Sequence, residues 1–200
     1  MTTFADFLAQ TRRTLGEPVE GVWTDESLTW WTNEAATDIA REAKPLRDIT
    51  ETTSVAGVNA YLQPDASLEP LSVYFAGVRL ARTAVENALT VAAMETRGTP
   101  LSYAFAESTL YLIPAPSTAD IIRLVRYRRP APIALPSDIM PFRSDYDGAL
   151  MLFVLQRAFE QVADWQSAGE YAARYTAALG NAVAQETRER SFPAAPTEVF

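Results

Sequence analysis

The run Ser144–Arg190 contains no proline, although the chain carries 13. Within it, Ala149-Leu150-Met151-Leu152-Phe153-Val154-Leu155 is apolar on every side, and a helix that is hydrophobic all round belongs in an interior. Behind it, Ala168, Tyr171, Ala172, Tyr175, Leu179, Ala182 and Val183 recur at steps of three and four, which is one helical face. The pattern predicts two long helices, 145–164 and 167–189, against which the remainder packs. Ser144 or Asp145 caps the first. The break between them falls at Asp164-Trp165-Gln166-Ser167, where Asp164 or Ser167 supplies a cap. Gly169 weakens continuity there, so a single bent helix is the alternative.

Towards the N-terminus, Phe4, Phe7, Leu8, Thr11 and Leu15 share one face, and Gly16 then Pro18 close it. This predicts a helix over 3–15. A second helix, 25–44, starts behind Thr24 with Asp25 and Glu26 at its positive end, and Pro45 disfavours its continuation. Leu28, Trp31, Ala35 and Ile39 mark its buried face. Trp23, Trp30 and Trp31 crowd its start and are expected to clamp the first helix rather than to stack on a ligand. The stretch 49–80 is β-rich, with Ala76-Gly77 as a tight hairpin turn. Alanine-rich helical spacing returns over 82–97, with Gly98 as its stop. Over 102–129, Ser102–Phe105, Thr109–Ile113 and Asp120–Arg129 read as an antiparallel meander. Seven of the prolines lie between Pro100 and Pro141, so 130–142 is expected as an ordered crossing loop.

The fold class expected is therefore α+β: a helical bundle core, made of the N-terminal helix pair and the long C-terminal helices, with inserted antiparallel β-strands and hairpins. Residues 1–190 form a single domain on this reading. Residues 191–200 form an extended tail with Phe192, Val199 and Phe200 as apolar anchors.

The chemistry open to this chain is narrow. It has no cysteine and no histidine, which excludes disulfides and thiolate chemistry and removes the commonest general base and metal ligand. No phosphate-cradling glycine loop is present. Glu34 and Asp38 stand at i,i+4, and Asp25 and Glu26 are adjacent. Acids on one helix face do not flank a cleft as paired catalytic carboxylates must. Asp145 and Asp147 suit helix capping better than a calcium loop, which needs denser oxygen ligands. The N-terminus lacks a basic start and apolar run, and no apolar stretch is long enough to cross a bilayer, so the chain is expected in the cytosol at synthesis.

One basic cluster stands out: Arg123, Arg126, Arg128 and Arg129. The chain as a whole is acidic, with 25 acids against 17 bases and a net charge of −8. That balance disfavours wrapping nucleic acid, because phosphate contact needs local cation. The cluster is read as a solvated edge or a set of subunit salt bridges, where arginine's planar fork is favoured.

Several stretches, taken in order, resemble the head–tail adaptor (connector) proteins of tailed bacteriophages. Trp23-Thr24-Asp25-Glu26-Ser27-Leu28-Thr29-Trp30-Trp31-Thr32-Asn33-Glu34-Ala35 is similar to the family's tryptophan–acid–leucine–tryptophan–asparagine–glutamate–alanine helix. Val55–Pro64 is similar to its valine–tyrosine–leucine–proline segment. Gly98-Thr99-Pro100-Leu101-Ser102-Tyr103 and Leu110-Tyr111-Leu112-Ile113-Pro114-Ala115-Pro116 resemble its glycine–proline–tyrosine and leucine–tyrosine–leucine–proline strands, and Tyr171-Ala172-Ala173-Arg174-Tyr175 completes the pattern.

The resemblance implies a structural virion protein, not an enzyme, with no cofactor and no metal. It implies a homo-oligomeric ring of about twelve copies under the portal vertex, at the neck of the virion, made in the host bacterial cytoplasm. Portal and tail proteins are the implied partners, and DNA passes through the channel without specific binding. No membrane is involved. Three readings stand beside it: a tail-completion protein of the same virion, a carboxylate enzyme carried in the particle, and a nucleic-acid-binding module centred on Arg123–Arg129.

Overall fold

In the computed structural model, the residues described are 2–17, 19–63, 67–90 and 95–191, the side chains of 189–191 excepted. The chain divides into two compact units, one made of residues 1–46 and 129–200 and the other of 47–128.

The first unit is helical. Helix α1, Phe4–Leu15, starts at Thr3, whose hydroxyl oxygen accepts from the Asp6 N–H at 3.2 Å. It stops at Gly16, whose φ of 74° is open to glycine at little cost. Helix α2, Asp25–Glu42, is capped by Thr24, which accepts from the Ser27 N–H at 3.1 Å. Its buried face is Leu28, Thr32, Ala35, Ala36, Ile39 and Ala40. After a 3-10 turn, Ser144–Tyr146, come α4, Asp147–Gln161, and α5, Trp165–Ser191; α3 is a single turn in the second unit. Helix α4 is the centre of the unit. It packs against α5, α2 and α1, and this is why it carries Leu150, Phe153, Val154 and Leu155 on so much of its circumference.

The corner between α4 and α5 is made by Ala163 in the left-handed region, φ 58°. Asp164 then caps α5, accepting from the Ser167 N–H at 3.1 Å and the Ser167 hydroxyl at 2.7 Å. The loop 129–143 is held by Asn33 of α2. Its side-chain amide donates to the Ile133 carbonyl at 2.9 Å and accepts from the Ile133 N–H at 2.8 Å, imitating a backbone pair. The same loop closes the start of α1, since Phe4 N–H donates to the Asp138 carbonyl and Ala5 N–H to that of Pro136. These two donors would otherwise be orphaned at a helix N-terminus.

The second unit is built of strands. Strands β1 (Arg47–Thr53), β3 (Ser67–Phe75), β4 (Val78–Arg79) and β10 (Ile121–Arg128) form a sheet in the order β1-β10-β3-β4, antiparallel throughout. Strands β2 (Ala60–Leu62), β5 (Ala81–Arg82), β7 (Ser102–Ala106) and β8 (Thr109–Ile113) form another, in the order β2-β8-β7-β5. A third pairs β6 (Arg97–Gly98) with β9 (Ala115–Pro116). The core between them is Val73, Phe75, Leu80, Tyr103, Leu110, Leu112, Ile122 and Leu124. Alternate residues of β10 and β8 supply it, as a half-buried strand requires. Pro70 in β3 stands opposite Arg126, and the register slips on either side of it, because proline has no N–H for the ladder.

This architecture corrects the expected fold class. The strands are not insertions on a helical bundle core. Residues 47–128 carry enough inward-facing bulk to bury one sheet against another and form a core of their own. Nor are the pairings all antiparallel, since β5 runs parallel to β7 and β6 to β9. The meander over 102–129 does not close either. β7 and β8 pair as a hairpin, but β10 leaves them to lie between β1 and β3, and the intervening Pro114 and Pro116 have no donors with which to extend β8's sheet.

Of the helix expected over 82–97, the described residues show a one-turn α3 (Val85–Ala88) and helical Glu95, with β5 and β6 at the two ends; residues 91–94 lie outside those described. Its alanine spacing promised a face with little to bury, and of Ala84, Val85, Ala88 and Leu89 only Ala88 is buried.

Candidate functional site

Among the described residues, the helical unit carries its most exposed aromatic in the second turn of α2. Leu28 and Ile39 point inward; Trp30 stands about 200° round the helix from Leu28 at 3.6 residues per turn. It is 70 % exposed, whereas Trp23 is 9 % exposed. Trp23 is buried, but its indole Nε1–H donates to the Ala158 carbonyl of α4 at 2.9 Å rather than clamping the first helix, and Trp30 is not part of a core clamp.

Two grooves meet at Trp30. One, of about 540 Å³, runs along α2 past Asn33, Glu34, Asp38 and Arg41, with Phe153 and Arg157 of α4 as its floor and wall. The other, of about 430 Å³, lies beside Phe4, Leu8, Asp25, Glu26 and Pro136. Exposed Leu135 lies next to Pro136 on the loop that closes α1.

Four ionisable groups of these grooves, Glu34, Asp38, Arg157 and Asp25, are engaged in holding helices together. Glu34 accepts from Arg157 at 2.5 Å, and Arg157 also donates to Glu160 at 2.9 Å. Asp38 accepts from the Tyr175 hydroxyl at 2.5 Å. Burial, and after it the Asp38 carboxylate, pushes the Tyr175 phenol well above the ordinary tyrosine range. Asp25 accepts from the buried Arg12, Nε to Oδ1 3.0 Å, while Glu17 takes the Val22 N–H at 2.6 Å. Glu34, Asp38 and Asp25 thus each have a structural partner, and Glu34 and Asp38 do not face a second acid across the groove. Arg41 is exposed and forms no ion pair among the described residues.

The four arginines singled out in the sequence lie on or just after β10. Arg123 pairs with Glu51 at 2.7 Å and Arg126 with Asp48 at 2.9 Å, each with the residue opposite it on β1. Arg128 is half-buried at the end of the strand, and Arg129 begins the loop back to the helices. Phe192, Val199 and Phe200 lie outside the described residues. No group of three or more metal-ligating side chains occurs among the described residues, and no helix among them is long and apolar enough to cross a membrane. Trp30 itself was missed in the sequence because its neighbours Trp23 and Trp31 made the trio read as one cluster. Its angle to Leu28 was the available signal.

A model of the SU10 adaptor protein family matches residues 2–198. The chain belongs to that family. It is a phage adaptor, a structural component of the virion. A comparison with curated proteins finds no match. Trp30 is an exposed aromatic between two grooves, the kind of side chain that dominates the energetics of an interface where one forms.

Proposed function

We propose that the adaptor forms a closed ring that joins the portal vertex to the tail and extends the DNA channel. The family match across residues 2–198 carries this reading. Two physical features support it. A ring needs a heterologous contact, in which one surface of a copy meets a different surface of the next, and Trp30 with its grooves offers one such surface. A net charge of −8 lets DNA pass without adhering. About twelve copies are expected, from the resemblance to head–tail connectors, with the rotation closing on itself.

The test is a pull-down of the tagged full chain against purified portal and tail proteins offered together. Retention of portal is expected. Retention of tail protein alone would replace this reading with a tail-completion role.

A further inference from the structure

The sequence that follows α5 is Phe192-Pro193-Ala194-Ala195-Pro196-Thr197-Glu198. It contains two prolines spaced as in the segments that dock as preformed polyproline II helices in aromatic-lined grooves. We propose that residues 192–198 of one copy lie along α2 of the next copy, with Pro193 against the Trp30 indole and Glu198 beside Arg41. The proposal rests on the ring reading for the presence of an adjacent copy.

Three observations carry it. The first is fit. Trp30 to Arg41 spans about 16 Å of α2 at 1.5 Å per residue, and Pro193 to Glu198 spans about 16 Å at the 3.1 Å rise of polyproline II. The second is charge. Arg41 is exposed at the far end of the groove, where Glu198 would arrive, and Glu26 lies at the near end, where Arg190 precedes the segment.

The third observation is reach, and it makes the contact one between copies. Helix α2 begins next to Trp23, bonded to Ala158 near the end of α4, and runs to Asp38, bonded to Tyr175 of α5. Trp30 therefore lies towards the start of α5. Ser191 lies in the other direction, about 24 Å beyond Tyr175 along the helix. Pro193 can return only about 7 Å from Ser191. The segment cannot cover its own Trp30, so a second copy must receive it. A contact of this kind is head-to-tail and generates a ring when the rotation closes.

The experiment titrates a fluorescein-labelled peptide, residues 191–200, into the dilute full-length chain and follows anisotropy. Saturable binding is expected. It should weaken at least tenfold on Trp30→Ala, whose fold is checked by far-UV circular dichroism, and on Pro193→Gly plus Pro196→Gly in the peptide. Arg41→Glu should weaken it too, with recovery when the peptide carries Glu198→Arg. Absence of saturable binding, equal affinity for the Trp30→Ala chain, or binding of the peptide to portal protein alone would overturn the proposal.

Because the chain has no cysteine, Thr37→Cys, in the groove at the level Thr197 would reach, with Thr197→Cys gives a second reading. Disulfide-linked multimers are expected, and a link within one chain would overturn the proposal. Trp30→Ala rings that still form normally on the portal would sink the docking and leave the ring. Peptide binding without any ring on the portal would do the reverse.

Discussion

Trp23 and Trp30 flank the first turns of α2 and are treated in opposite ways. Trp23 is buried against α4 with its N–H satisfied, and Trp30 stands in the open. Trp23→Ala is expected to lower stability by about 3–5 kcal/mol through the cavity and lost burial. Trp30→Ala should stay within about 0.5 kcal/mol. Denaturant unfolding of the two variants measures both.

Asp138 shows a different residue-scale effect. Its carboxylate accepts from the Ala134 and Leu135 N–H groups at 2.8 Å each, and these bonds hold it below its ordinary 3.8. The folded value is depressed, so its contribution is present above about 3.8 and fades as the pH falls through the lower folded value. Asp138→Asn cannot titrate. The gap in Tm between wild type and Asp138→Asn should therefore be widest at about pH 5 and above and close towards pH 2. A gap independent of pH would show that the carboxylate charge is not what orders the turn.

At the scale of elements, the ends of helices were the most legible part of the sequence. Thr24 and Asp164 are capping residue types placed before periodic runs, and each caps by its own side-chain oxygen. The all-round apolar run of α4 marked the centre of the helical unit for the same reason: chemistry and position agree within a few residues. The α4–α5 corner holds a strain that periodicity does not show. Ala163 sits at φ 58°, which costs an L-residue about 1–2 kcal/mol. Ala163→Gly relieves that and loses part of the gain to unfolded-chain entropy. A net rise of about 0.5–1 kcal/mol is expected, or a Tm higher by about 2–4 °C, read by thermal circular dichroism. A fall in Tm would contradict the strain.

What the sequence left unread at this scale was partner choice. Ile122 and Leu124 alternate as in any half-buried strand, and nothing local says that their strand pairs with β3, beside Val73 and Phe75, rather than with β8. The alanines of 82–97 have helical spacing without the bulk to anchor a helix.

At the scale of the molecule, the two units explain why a single bundle was the wrong expectation. Residues 1–46 and 129–200 assemble around α4, and residues 47–128 bury their own core. The proposed docking surface was legible only in part. The order of short motifs resembled a virion adaptor, while only the burial in the fold separates Trp30 from Trp23. Arg123 and Arg126 read as a solvated edge or as subunit salt bridges, and each pairs with Glu51 or Asp48 on the neighbouring strand, a pairing that depends on the β1–β10 register.

The central claim is the ring on the portal. Electron microscopy of the full chain mixed with its own portal protein tests it most directly. The account predicts a closed ring of adaptor coaxial with the portal and continuous with its channel. Bare portals, with the adaptor found only on tail ends or in open filaments, would contradict it.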